Sequence, residues 1–274
     1  MKDLTVFVCP VCGGGLRQIG QSLRCERGHS FDIARQGYVS LVSGSRATGD
    51  TADMVRARTA FLDSGIYEPV AQQVVDMIQA RRRNRTEDPN LLADLGGGTG
   101  WYSAYVLDRI PALDGVLVDV SAHAAKAAAR AHPRLTVATA DLWKSIPLPD
   151  ASVDVAMVVF APRNPDEILR ILAPGGLCLV VVPQPNHLKE LRSAHAMLAI
   201  EPEKEARLAE QFSRFRTAGT SSLEYRRLFS PHDIANVIGM GPSAFHRRQI
   251  PIADLEPAEV TVAVAVHQFI LSPL

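Results

Sequence analysis

The sequence predicts an α/β protein: a doubly wound domain on a mostly parallel seven-stranded sheet, preceded by a small cysteine-containing module. Two observations carry this. From Leu91 onward, short continuous apolar runs alternate with helical stretches, the pattern of βα units on a buried parallel sheet. Residues 1–43, by contrast, contain glycines and three cysteines among short apolar stretches, too little to bury a core alone. A length of 274 residues suits one substantial domain plus such an appendage.

The elements follow in order. Residues 1–43 form the module, and residues 44–90 form a linker, Gly44 to Asp50, followed by helices. Met54, Phe61 and Leu62, then Val70, Val74, Val75 and Ile78, recur at helical spacing and predict two helices broken around Gly65, with Pro69 at the break. Residues 91–274 form the main domain. Its predicted strands are Leu91 to Leu95, Val116 to Val120, Leu135 to Thr139, Val153 to Phe160 and Leu177 to Val182. Helices are expected over Trp101 to Ile110 and Ser121 to Ala131, the second N-capped by Ser121. After a long helical and polar stretch, Ser222 to Phe229 and Val260 to Leu271 supply two more strands. No internal repeat or low-complexity tract interrupts them.

An apolar fraction of 47% and a charged fraction of 21% exclude a disordered or fibrous chain. The first twelve residues lack the h-region and cleavage site of a signal peptide, and no apolar run reaches the roughly 18 residues of a membrane span. A soluble, cytoplasmic protein is expected. In a reducing compartment disulfides are disfavoured, so the four cysteines are metal ligands or core residues. The net charge of zero withholds any general sign of a nucleic-acid partner. Local basic runs remain at Arg56 and Arg58, at Arg81, Arg82, Arg83 and Arg85, and at His246, Arg247 and Arg248. Each reads equally well as a solvated helix end or linker.

Cys9 and Cys12, then Cys25 and His29, give C-x2-C-x12-C-x3-H. Two short chelating turns joined by a loop are what a tetrahedral zinc site requires, and Gly13, Gly14 and Gly15 give the first turn its freedom in φ. With four protein ligands no coordination position stays open, so the expected Zn(2+), one per chain, is structural. It would substitute for the missing core. Cys178, inside the run Leu177 to Val182, reads as a core residue.

The strand Leu91 to Leu95 ends in Asp94-Leu-Gly96-Gly97-Gly98-Thr99-Gly100-Trp101 and leads into a helix. Such glycines permit a tight turn and close backbone approach to a ligand. Asp119 ends the next strand, where a carboxylate accepts both ribose hydroxyls, and Asp141 follows the strand after that, within reach of an adenine amino group. Three carboxylates at one sheet edge, with D-x-G-x-G-x-G and no diphosphate motif, describe an S-adenosylmethionine site. Pro174-Gly175-Gly176 before the next strand is a frequent companion. A nicotinamide dehydrogenase is the alternative, disfavoured because the glycine turn comes a third of the way along and no second catalytic domain follows.

Joined in this order, these features resemble the zinc-containing 23S rRNA guanine-N1 methyltransferases, including the tylosin and mycinamicin resistance enzymes of actinomycetes. The resemblance runs through Cys9 to His29, Phe31-Asp32, Gly37-Tyr38-Val39, Asp53-Met54, Ala57-Arg58, Leu62 to Gly65, Tyr67 and Pro69. It continues through Gly96 to Gly100, Phe160-Ala161-Pro162-Arg163-Asn164-Pro165, Pro174 to Gly176, His187-Leu188 and Met240 to Ser243. It implies a class I S-adenosylmethionine-dependent methyltransferase fold with a zinc ribbon-like module. It also implies cofactor contacts at Tyr67, Gly98, Thr99 and His187 beside Asp94, Gly96, Gly100, Asp119 and Asp141.

The implied substrate is a guanine in a 23S rRNA hairpin near the macrolide-binding exit tunnel, position 748 favoured over 745, and the implied role is macrolide resistance. Many members of the wider family have Glu where this chain has Thr99, and the Gly-Gly-Gly-Thr-Gly form is closer to the resistance branch. A homodimer is also implied. Guanine N1 carries a proton near neutral pH that must be lost, and no base for it is legible. The module and the Arg56 and Arg58 region are expected to grip the RNA. A small-molecule methyltransferase with a bracing zinc module, or a non-catalytic zinc-ribbon RNA-binding protein, remain as alternatives.

Overall fold

The computed structural model describes residues 3–42, 49–83, 91–195, 204–241 and 251–271. Residues 44–48 of the expected linker, Arg85, Pro242, Ser243 and His246 to Arg248 lie outside the described residues, as do the side chains of Arg82 and Arg83.

The module folds as three short antiparallel strands, β1 (Arg17–Ile19), β2 (Ser22–Arg24) and β3 (Ser30–Asp32), followed by β4 (Tyr38–Ser40). Helices α1 (Ala52–Asp63) and α2 (Glu68–Arg83) come next, broken around Gly65 as the spacing predicts. Thr51 caps α1, its Oγ1 accepting from the Met54 amide at 3.3 Å. The main domain then runs β5 (Leu91–Leu95), α3 (Trp101–Arg109), β6 (Asp114–Asp119), α4 (Ala122–Ala131), β7 (Leu135–Thr139), β8 (Val153–Val159), α5 (Pro165–Ile171) and β9 (Leu172–Pro183). It ends with α6 (Lys189–Ala194), α7 (Lys204–Gln211), β10 (Arg216–Phe229), α8 (Pro231–Gly239) and β11 (Ala258–Ile270).

The large sheet has the order β10-β11-β9-β8-β5-β6-β7-β4. Strands β4 to β9 pair in parallel, and β11 lies antiparallel to both β9 and β10. The expected seven strands are present, and β4 adds an eighth at the edge, with Tyr38 opposite Val137 and Ser40 opposite Thr139. Alternation splits each strand between two cores: Leu117 of β6 faces the layer of α2, α3 and α4, while Val116 and Val118 face the other side. Leu4, Phe7, Leu16, Leu23, Val39 and Leu41 of the module join that second core. A 40-residue segment with little apolar surface of its own thus shares the sheet's core, in addition to its metal ligands.

Two strand boundaries and two helices differ from expectation. Strand β9 begins at Leu172, because Pro174-Gly175-Gly176 form an excursion within it: Val153 faces Leu172, and two residues on Val155 faces Leu177. Strand β10 begins at Arg216; its outer edge is unpaired, so its early residues stay exposed and show no apolar run. Helices α5 and α8, of 7 and 9 residues, lie where the sequence reading draws none. Ser121 caps α4 as predicted, its Oγ accepting from the Ala124 amide at 3.2 Å. Among the described residues no helix is long and apolar enough to cross a membrane.

Candidate cofactor site and metal centre

Cys9, Cys12, Cys25 and His29 bring their ligand atoms within 4.8 Å of one another. Sγ of Cys9 and Cys25 lie 3.5 and 3.3 Å from Nδ1 of His29, and Sγ of Cys12 lies 3.7 Å from that of Cys25. Edges of a zinc tetrahedron with thiolate and imidazole ligands are roughly 3.5 to 3.8 Å, so the donor set fits that ion and assigns Nδ1 as the ligating nitrogen. Two turns shape it. Gly13 (φ 71°) donates to the Cys9 carbonyl at 2.8 Å, and Gly28 (φ 85°) to the Cys25 carbonyl at 3.0 Å, both in the left-handed region. Burial pushes the Cys25 thiol up, yet the His29 and Arg27 amides and the neighbouring ligands outweigh it and hold its pKa at about 6.

The glycine turn after β5 folds over Asp94. Gly96, Gly98 and Gly100 all have positive φ, and a Cβ on Gly97 would lie 2.5 Å from the Asp94 carboxyl. Asp94 is buried: Oδ2 accepts from Ser103 Oγ at 2.6 Å, and Oδ1 has no partner among the described residues. Burial raises its pKa to about 7, against the Ser103 bond and with help from Asp119. Asp119 accepts from the Gly98 amide through Oδ2 at 2.9 Å and from the Ser121 amide through Oδ1 at 2.8 Å, which locks the turn to the end of β6. Burial raises its pKa too, and the two amides oppose the shift. Asp141 accepts from the Trp143 amide at 3.0 Å.

These residues surround one cavity of about 280 Å³ at the carboxyl edge of the sheet, where ligands of open α/β sheets collect. Tyr67, Asp94, Gly96, Gly98, Asp119 and Asp141 line it; Thr99, Gly100 and His187 do not. Thr99 is buried and its hydroxyl has no partner among the described residues. His187 stands behind Tyr67, its Nε2 2.9 Å from the tyrosine oxygen. The Ala263 amide donates to Nδ1 of His187 at 3.2 Å, so the proton sits on Nε2 and is donated to Tyr67. The Tyr67 hydroxyl proton is thereby left for an acceptor other than His187, and the cavity lies beside it.

The glycine turn, where a Cβ on Gly96 or Gly97 would strike Ala161, Asp94 or Leu117, and the orphaned buried Oδ1 of Asp94, a residue of the cavity wall, fit S-adenosylmethionine, whose adenosine and methionine ends need backbone approach and a carboxylate acceptor.

Sequence reasoning missed several wall residues. Asp50 and Arg58 close one side: Arg58 donates to Asp50 Oδ2 through Nε at 3.0 Å and to the Met240 carbonyl through Nη2 at 3.0 Å, and its Nη2 lies 2.8 Å from the same Asp50 oxygen as an ion pair. Arg58 was expected beside Arg56 in an RNA grip. Instead it turns inward over Gly98, while Arg56 pairs with Asp53 at the surface. No sequence signal marks this, because a helix residue's direction depends on what packs against it. Phe160 and Trp143 also line the cavity. For Phe160 the signal existed: it ends an apolar run at the carboxyl edge of the sheet, the position of ligand contacts.

A doubly wound sheet carrying this turn, its three acidic residues and a four-ligand ribbon defines an S-adenosylmethionine-dependent methyltransferase with a structural zinc. Comparison with known proteins narrows the class. Residues 7–43 match the family model described as RlmA, N-terminal, and residues 92–176 match that of a methyltransferase domain. The chain is 43% identical to the 23S rRNA (guanine(748)-N(1))-methyltransferase of Streptomyces fradiae, over 96% of this chain and 93% of that protein. It is also 43% identical to a Micromonospora griseorubida protein named as a 23S rRNA (guanine-N(1)-)-methyltransferase, over 95% and 96%. The chain belongs to the 23S rRNA guanine-N1 methyltransferase family. Among solved structures, the complex of a Haloferax volcanii methyltransferase with its Trm112 activator matches with a TM-score of 0.50 at 18% identity. That match covers 82% of this chain and 100% of the other, and it shows the fold alone.

Proposed function

We propose that this chain methylates N1 of a guanine in a 23S rRNA hairpin, at position 748 rather than 745, and thereby confers macrolide resistance. The observation that carries the reading is the 43% identity, over nearly the full length, to the S. fradiae enzyme whose name specifies guanine 748. S-adenosylmethionine supplies an electrophilic methyl group on a sulfonium that departs without acid assistance. The protein's share of catalysis is then positioning and exclusion of water.

In this reading Asp119 and Asp141 accept from the ribose and adenine, Gly96, Gly98, Thr99 and Gly100 shape the turn, and Asp94 and Tyr67 face the methionine end. His187 acts through Tyr67. Residues 1–43 recognise the RNA, residues 44–90 lead into the catalytic unit, and residues 91–274 carry the reaction. The enzyme works in the cytoplasm, as the homodimer the resemblance implies.

The test is mass spectrometry of 23S rRNA fragments after incubation of deproteinised rRNA with isotopically labelled S-adenosylmethionine. One labelled methyl on N1 of guanine 748 is the expected product. Label at guanine 745 would overturn the position, and label only in an added pool of small acceptors would overturn the RNA substrate.

A further inference from the structure

A second cavity, of about 420 Å³, adjoins the first and shares with it Trp143, Phe160, Ala161 and Pro162; Arg163 and Gln211 complete its polar side. Methyl transfer requires an acceptor atom in line with the donor, so an acceptor site must open onto the cofactor cavity. This one does.

Its chemistry suits a flat, hydrogen-bonding ring. Trp143 is 67% exposed and Phe160 37% exposed, two aromatic side chains on the wall of one cavity. Unpaired bases stack on such surfaces. Phe160 is also held at φ 53°, in the left-handed region that bulky residues avoid. Its ring lies 5.9 Å from Tyr67 and 5.7 Å from His187, on the wall the two cavities share. Strain of this kind collects at functional sites. Arg163, three residues on, is half-buried and donates from Nε to Gln211 Oε1 at 3.2 Å. Its two terminal nitrogens make no hydrogen bond among the described residues.

We propose that this second cavity is the acceptor-base subsite, in which Trp143 and Phe160 hold the guanine ring and the Arg163 guanidinium grips its O6 and N7. The inference rests on the guanine-N1 reading above. Arginine paired with O6 and N7 is the commonest specific guanine contact, and it leaves the N1 edge turned away from the arginine, toward the shared wall. Arg163 then has a chemical task as well. Loss of the N1 proton puts negative charge on O6, where a fixed cation stabilises it. Among the described residues this cavity has no carboxylate or histidine on its wall; in this proposal the N1 proton leaves to water. The N1 lone pair forms the new N–CH3 bond, the S–CH3 pair returns to sulfur, and neutral S-adenosylhomocysteine leaves.

The experiment compares full-length wild type with Arg163→Ala, Arg163→Lys and Phe160→Leu on a hairpin transcript carrying guanine or 7-deazaguanine at the target. Single-turnover rates are followed across pH, with cofactor affinity and thermal melting as folding controls. Quenching of Trp143 fluorescence is read against a Trp143→Phe control. Arg163→Ala should lose at least about tenfold in rate at pH 7.5, the scale of one bidentate base contact, with cofactor affinity within about threefold of wild type. Its deficit should narrow as pH rises, because hydroxide then supplies the N1 anion without help. The 7-deaza base should slow wild type but not Arg163→Ala, and a hairpin with guanine at the target should quench Trp143 more than one with adenine. If the wild type methylates the hairpin while Arg163→Ala and Phe160→Leu match its rate and pH profile, the subsite assignment fails and the function stands. If Arg163→Ala does not hold cofactor, Arg163→Lys decides: retained sensitivity to 7-deazaguanine at the wild-type rate overturns the bidentate grip. No methyl on the hairpin with the wild type overturns the functional reading itself.

Discussion

Tyr67 and His187, 120 residues apart, are joined by a buried 2.9 Å hydrogen bond that fixes the imidazole as a neutral Nε2–H donor. Burial, with Arg192 nearby, drives the His187 pKa down to about 3. The unfolded chain protonates this histidine near 6.5, whereas the folded one refuses the proton down to about 3. Between those values the unfolded state binds more protons, so stability falls as pH falls.

His187→Gln should therefore flatten the acid side of the stability curve. Between pH 7 and 5 wild type should lose about 2 kcal/mol more than the variant. Urea denaturation of both proteins at the two pH values measures this, and parallel losses would show that His187 is not the group responsible.

Asp94 behaves in the opposite sense. Its folded pKa, near 7, lies above the unfolded 3.8, so the folded state binds the extra proton in that window. The stability this contributes is lost as pH rises toward 7. Asp94→Asn keeps an oxygen for Ser103 and removes the buried charge, but it places a donor where the unpartnered Oδ1 stands. The cofactor-free variant should be more stable than wild type at pH 8, by on the order of 2 kcal/mol, with no advantage at pH 4. It should bind S-adenosylmethionine at least about tenfold more weakly, from one lost charge-assisted hydrogen bond. Melting curves at the two pH values and calorimetric titration of the cofactor test the two halves; unchanged affinity would remove Asp94 from the site.

Loss of zinc should reach the main sheet. Strand β4 pairs with β7, and Leu23, Val39 and Leu41 pack into the core of Val116 and Val118. Cys25→Ser should release the metal and lower the melting temperature by on the order of 10 °C, roughly 3 kcal/mol for a chain of this size. Amide exchange should accelerate at Val137, Ala138 and Thr139 as well as within residues 3–42. Protection of β7 at the wild-type level after metal loss would mean that the module folds and unfolds apart from the sheet.

Legibility in the sequence tracked locality. The strands β5 to β8 were readable because they are buried on both faces, and continuous apolar runs result. Strand β10 was readable only over its second half, since an exposed edge imposes no such pattern on Arg216 to Ser221. Strand β4 was invisible: three residues, Tyr38 to Ser40, become a strand only because β7 offers a free edge. Among wall residues, Gly96 and Gly98 could be read from the turn they must make, but nothing within several residues of Asp50 or Arg58 marks either one.

The sequence alone determined two pieces of local chemistry, the Cys9, Cys12, Cys25 and His29 quartet and the glycine turn with its acidic neighbours. Each depends on short-range geometry, a chelating knuckle or a strand-to-helix turn, which a few adjacent residues settle. Tertiary structure alone decided that Arg58 faces inward, that His187 stands behind Tyr67, and that Trp143, Phe160 and Arg163 share a cavity beside the cofactor's. Those outcomes join residues tens of positions apart, and their spacing along the chain carries no information about which packed arrangement buries them together.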